Sequence, residues 1–195
     1  MQRKMFDFLA SAAGLLIVVM LLVAGSLLLW GNGFTSTSVR NQLVKQDIVF
    51  PTQAEFAQAK AGTEITPAML PYLAKYAGQE LTTGAQAEAY ADHFIAVHLS
   101  EMPYGGVYAT VSAASRADPS NTALTAEVQT TFQGTTLRGL LLEAYAFSEF
   151  GLIAMYAAIA SFVLAAIMLV LVGLGLWHAR RTPEGAELVI FSDTE

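Results

Sequence analysis

The chain has 195 residues, of which 54% are hydrophobic and only 13% charged, with a mean hydropathy of +0.49. A water-soluble domain carries roughly a quarter charged residues, so much of this chain is expected to sit in lipid. The net charge of −6 argues against nucleic acid, whose phosphates call for clustered Lys and Arg, and the absence of cysteine removes disulfides, thiolate metal sites and Cys nucleophiles together.

The first element is an apolar run over residues 8–30 without a charged side chain. A bilayer core about 30 Å thick is crossed by roughly 20 apolar residues in a helix, so the run is long enough to span. It is also far longer than the hydrophobic stretch of a signal peptide, and more apolar residues follow the weak Ala-Gly-Ser cleavage pattern at Ala24, Gly25 and Ser26. It reads as an uncleaved anchor. Past it, Ser36 or Ser38 caps a short helix through VRNQLVK (39–45), and DIVFP (47–51) is extended because the residue before Pro51 is pushed out of the helical region. Thr66 followed by Pro67 is an N-cap signal for a helix through PAMLPYLAKYA that stops at Gly78. Thr83 opens the next helix, over 84–101, with Ala87, Tyr90, Ala91, Phe94, Ile95, His98 and Leu99 on one buried face. Met102-Pro103 and Gly105-Gly106 end it, and VYATVSAASRA (107–117) is a short helix before a second cap-plus-proline signal at Asp118-Pro119.

The last helix starts at 119–122, with Leu124, Val128, Phe132 and Thr135 on one face. Gly134 and Gly139 cost about 1 kcal/mol each relative to alanine but do not stop a helix. The pattern thickens into LRGLLLEAYAF and then into a second uncharged run, 150–177, so one long helix is expected to leave water and enter a membrane. Arg3 and Lys4 precede the first run, and Arg180 and Arg181 follow the second. The positive-inside rule then puts both termini in the cytoplasm, with Trp30 and Trp177 as interfacial anchors. The fold expected is an all-α membrane protein with two antiparallel transmembrane helices (8–30 and 150–177). An extracytoplasmic helical domain (31–149) is inserted between them, and the cytoplasmic segments are 1–7 and 178–195.

Candidate chemistry is sparse. Neither run holds an Asp, Glu, Lys, Arg or His, which argues against a pump, channel or transporter acting alone. His93 and His98 fall on different sides of a helix, whereas His98, Glu101 and Met102 share one, with no second ligand-rich segment to complete a metal shell. The spacing favours His98 packed on the apolar face with one hydrogen bond and His93 facing water. No nucleophile elbow or phosphate loop is present, so no cofactor is expected. The residues that point to partner contact are a stripe of small residues on the second run (Ala154, Ala158, Ser161, Ala165) and the helix face from Phe132 through Arg138 to Tyr145. The tail segment Leu188, Val189, Ile190 and Phe191, flanked by acids, is the third. The small stripe also serves packing of the two spans on each other. For Arg138 two roles are open: an ion pair with a neighbouring carboxylate or lipid phosphate, or contact with a ligand or partner.

VRNQLVKQDIVFP (39–51), YAGQELTTGAQAEAYADHFIAVHL (76–99), GGVYATVSAASRADP (105–119) and FQGTTLRGLLLEAYAFSEFG (132–151) together resemble a family of two-span actinobacterial membrane proteins without an established activity. Some of its members carry a ring-opening dioxygenase label, which this sequence does not support, because the two-His-one-carboxylate iron set is missing. The resemblance implies an actinobacterial plasma membrane and no functional residue. The function expected is a non-enzymatic accessory subunit that binds and stabilises a larger membrane protein complex, with the respiratory chain as a plausible host by analogy. The alternative is an extracytoplasmic module that binds a lipid, quinone or envelope glycolipid.

Overall fold

A computed structural model describes residues 3–183. Among the described residues the protein is all-helical and has no strand. It divides into two compact units, one made of the residues up to Gly33 with those from Leu152 onward, the other of Phe34–Gly151. Helices α1 (Arg3–Val44) and α7 (Thr122–Arg181) contribute to both.

In the first unit the apolar stretches of α1 and α7 are in contact along a narrow seam. Ser11, Gly14, Val18 and Gly25 are buried on α1, and Ala158, Ala165, Val172 and Ala179 on α7. Intervals of three, four and seven residues keep each set on one stripe, the 3.5-residue repeat of helices packed knob into hole. Small residues bring the backbones close. A Cβ on Gly14 would lie 2.8 Å from Val172 Cγ2, and one on Gly25 would lie 3.0 Å from the Phe162 ring. The remaining sides of both helices expose large apolar residues such as Leu16, Met20, Leu27, Ile153, Val163 and Val170. By length and composition both helices are apolar enough to cross a membrane. The hydroxyls of Ser26 and Ser161 donate back to the carbonyls of Leu22 and Ala157, at 2.8 and 2.9 Å. They therefore add no unpaired polar group to these stretches.

In the second unit, short helices pack around the ends of α1 and α7: α2 (Gln53–Ala57), α3 (Leu70–Leu73), α4 (Gly84–Tyr90), α5 (Ala96–Glu101) and α6 (Tyr108–Ala117). Its core joins Val39 and Leu43 of α1, Phe50, Phe56, Met69, Leu73, Leu81, Ala87, Ile95, and Leu141 of α7. The Phe50 ring sits between Tyr76 and Tyr90, with centroids 5.2 and 5.5 Å away. Of the expected extended DIVFP, Ile48–Phe50 is present, tied by Phe50 N–H to Gln79 O (2.9 Å) and Leu81 N–H to Ile48 O (2.8 Å), whereas Asp47 sits in the turn before it at φ +52°. The capping box at Thr83 is also present: Gln86 N–H donates to Thr83 Oγ1, and Gln86 Oε1 accepts from the Thr82 and Thr83 N–H groups.

Four expectations are corrected. The break before VRNQLVK is absent, because α1 runs unbroken to Val44. Val39 and Leu43 bury into the core, and that packing outweighs the weak propensities of Gly31, Gly33 and the Ser/Thr cluster. Thr66 does not cap a helix. Its hydroxyl is buried without a partner, residues 67–69 form turns, and the helix starts only at Leu70, with Pro71 in its first turn. Asn121, not Asp118, caps α7, its Oδ1 accepting from Leu124 N–H at 3.0 Å. On α7 the buried face runs through Thr131 and Leu141, whereas Phe132 is 50% exposed. Of the expected face, Leu124 and Val128 are half-buried while Phe132 and Thr135 are exposed, because Thr131, one residue or about 100° away on a helix, takes the buried position.

Candidate functional site

Two sides of α7 do different work within the second unit. One side meets the helix that begins at α4. There Arg138 Nη2 donates to Asp92 Oδ1 at 2.6 Å, and Gly134 admits Leu99, whose Cδ2 would lie 2.9 Å from a Cβ at that position. Asp92 sits in a π-helical turn, Ala91–Ile95, that interrupts the α-helix between Tyr90 and Ala96. The turn inserts an extra residue and re-aims the side chains on it. His93 stacks on the Tyr72 ring with centroids 3.5 Å apart, so it is covered by an aromatic and not simply solvated. His98 Nδ1 bonds to Phe94 O at 2.8 Å, the single hydrogen bond expected. The Tyr145 hydroxyl is raised above its ordinary value of 10.0, first by the charge of Glu88 and then by Glu149. Tyr90 is raised first by burial and then by Glu64.

Arg138 therefore has its ion pair inside the chain, with the two side chains 39% and 36% exposed. A pair this exposed contributes about 0–1 kcal/mol. Its Nε is buried without a partner. Among the described residues no three His, Asp or Glu side chains gather as a metal group. His98 and Met102 share a hollow with Glu64 rather than with Glu101.

The other side of α7 faces the C-terminal part of α1 across a groove of about 450 Å³. This is within the size range of small-molecule sites. Phe34, Val39 and Leu43 form one wall, and Leu137, Leu140, Leu141, Ala144 and Phe147 the other. Phe34, Leu140 and Phe147 are exposed, so apolar surface lines the mouth as well as the floor. The polar lining is Thr35, Ser38, Gln42, Gln46 and Glu143. It offers hydroxyls, two amides and one carboxylate, and no basic side chain lines the groove among the described residues. Such a lining can bury an apolar chain and hydrogen-bond a neutral head. It gives no cation to an anionic one.

The structure therefore separates the residues singled out in the sequence. Ala158 and Ala165 are 1% exposed, buried in the chain's own helix seam. Ala154 and Ser161 are half-buried there. Phe132 lies exposed beside Tyr108, with ring centroids 5.7 Å apart. Arg138 and Tyr145 face the helix carrying Asp92 and Glu88. None of these lines the groove. Leu188, Val189, Ile190 and Phe191 lie outside the described residues. The groove was missed because its walls are two segments far apart in sequence. The available signal was Leu140, Ala144 and Phe147 repeating at helical spacing beside the buried face. Family models, curated proteins and solved structures offer no match to this chain.

Proposed function

We propose that this chain is a non-catalytic two-span protein of the plasma membrane that holds a membrane-derived apolar molecule with a neutral, hydrogen-bonding head. In this reading the spans are antiparallel and both termini are cytoplasmic, with Phe34–Gly151 on the outer face. The contact pairs Ser11 with Gly175, Gly14 with Val172 and Gly25 with Phe162 support the antiparallel arrangement, since one number falls as the other rises. Arg3, Lys4, Arg180 and Arg181 support the orientation.

The lining of the groove carries the functional reading. Apolar walls on both sides suit an acyl or isoprenoid chain, while Gln42, Gln46 and Ser38 suit carbonyl or hydroxyl groups of a quinone, diacylglycerol or sugar. Along their helices Phe34 and Phe147 lie within about one turn of Trp30 and Phe150, where the apolar runs end. A guest could then enter from the bilayer without crossing water.

The second reading, an accessory subunit of a larger membrane complex, is favoured by the exposed apolar mouth at Phe34, Leu140 and Phe147. That mouth would equally receive a partner's apolar helix. Purification in mild detergent with mass spectrometry of everything retained separates the two. The first reading predicts one apolar small molecule per chain, lost on Ala144→Trp, which fills the groove from its wall. A stoichiometric protein partner, with no small molecule, would replace it with the second.

A further inference from the structure

The polar part of the groove between α1 and α7 selects the head that it takes. Ser38, Gln42 and Gln46 line it from the α1 side and Glu143 from α7. Ser38 and Gln42 are one turn apart on α1. Gln46 lies in the turn that follows, its N–H donating to Leu43 O at 2.9 Å. The helix from Ser38 to Val44 alone rises about 9 Å, so this polar edge is longer than a single six-membered ring. Among the described residues, no hydrogen bond or ion pair within the chain engages the side chains of Ser38, Gln42, Gln46 or Glu143. Gln42, Gln46 and Glu143 are exposed, so a guest competes with water for them. Their demands differ. The Glu143 carboxylate only accepts, whereas each glutamine amide and the Ser38 hydroxyl both donate and accept. Water meets both demands, and a head that displaces it without loss brings donors and acceptors together.

We propose that the occupant is a neutral glycolipid, its sugar hydroxyls along Ser38, Gln42, Gln46 and Glu143 and its chains against Leu140 and Phe147. The inference rests on the reading of the groove as a site for a membrane-derived molecule, and it names the class. Every sugar hydroxyl both donates and accepts, and one sugar ring carries several. An oxidised quinone carries carbonyl acceptors only, so it returns no donor to Glu143. Diacylglycerol carries one free hydroxyl, too few for a polar edge of this length. A phosphodiester adds negative charge to a groove that already holds Glu143 and, among the described residues, no basic side chain. A hydrogen bond to a neutral partner is worth about fivefold in affinity, and one to a charged group about tenfold or more.

The full chain, stripped of lipid in a polyoxyethylene detergent, is offered four probes at equal mole fraction. They are diglucosyl diacylglycerol, diacylglycerol with the same chains, phosphatidylglycerol and a menaquinone. Native mass spectrometry reads which remain bound. The expected result is one glycolipid per chain, favoured at least tenfold over diacylglycerol. That preference falls to about one in a Gln42→Ala, Glu143→Ala double variant, which still holds diacylglycerol, and Ala144→Trp releases both. Equal occupancy by glycolipid and diacylglycerol in the parent chain overturns the glycolipid proposal and leaves the groove a lipid site. So does a preference for menaquinone or phosphatidylglycerol, or a glycolipid preference that the double variant keeps. Retention of none of the four probes, or retention that Ala144→Trp does not reduce, overturns the reading of the groove on which the proposal stands.

Discussion

At the scale of single residues, the helical domain is held by reciprocal caps. Thr52 and Glu55 form one at the start of α2, with the Thr52 N–H donating to Glu55 Oε2 at 2.6 Å. These bonds, the backbone one first, hold the Glu55 carboxyl below its ordinary value of 4.5. The folded form therefore binds the Glu55 proton less readily than the unfolded form. Its contribution is complete above the ordinary value and is lost as pH falls through the lower, folded one. Glu55→Gln should remove that part of the acid dependence while leaving stability between pH 6 and 8 nearly flat, as read by thermal denaturation across a pH series. The cap at Thr83 is more enclosed, since Gln86 is 6% exposed and also donates to Gln79 Oε1 at 3.1 Å. Thr83→Ala should cost about 1 kcal/mol, and circular dichroism melts of the full chain in detergent would register it. Gly106 belongs to the same class of local necessity. It ends the turn after Pro103 at φ +63°, and any Cβ there would overlap the Leu99 carbonyl.

At the scale of elements, two long helices organise everything else. At about 1.5 Å per residue, α7 with its 60 residues is roughly 90 Å long, some three times the thickness of a bilayer core. Its continuity was legible from the sequence because Gly134 and Gly139 were weighed as tolerable rather than as breaks. The matching continuity of α1 was not legible. Gly31, Gly33 and the run Thr35, Ser36, Thr37, Ser38 carry strong local signals for a stop, and only burial of Val39 and Leu43 in a core made by distant segments overrides them. The π-helical turn at Ala91–Ile95 was invisible for a related reason. Its extra residue leaves no mark in composition, and it is recognised by the tertiary contacts it permits, Asp92 with Arg138 and His93 with Tyr72. The helix seam gives a direct test. A Cβ on Gly175 would stand 3.9 Å from Ser11 Cβ, within the span of a disulfide. In this cysteine-free chain, Ser11→Cys with Gly175→Cys should cross-link on mild oxidation in membranes. Ala12→Cys with Gly175→Cys, one residue off the seam, should not. The readout is the mass of fragments joined after proteolysis.

At the scale of the whole molecule, the apolar runs and the helical fold were readable because both depend on local pattern, hydrophobic length and periodicity. The groove was not, because it is a property of two surfaces that meet only in three dimensions. The small residues Ala158 and Ala165 point to close packing, and the structure shows that the chain itself supplies the packing surface. Of the two roles the sequence leaves open for Arg138, the ion pair with a neighbouring carboxylate is present, with Asp92. The apolar lining stays exposed at Phe34, Leu140 and Phe147, and the account rests on what covers it. The most direct test replaces Phe147 with a benzophenone amino acid, irradiates intact membranes, and weighs the adducts by mass spectrometry. Tyr156, 61% exposed on the apolar helix pair, serves as the reference for ordinary lipid contact. The account predicts a single small apolar adduct at Phe147 that is absent at Tyr156. The same mixture of bulk phospholipids at both positions, or an adduct to another protein at Phe147, would contradict it.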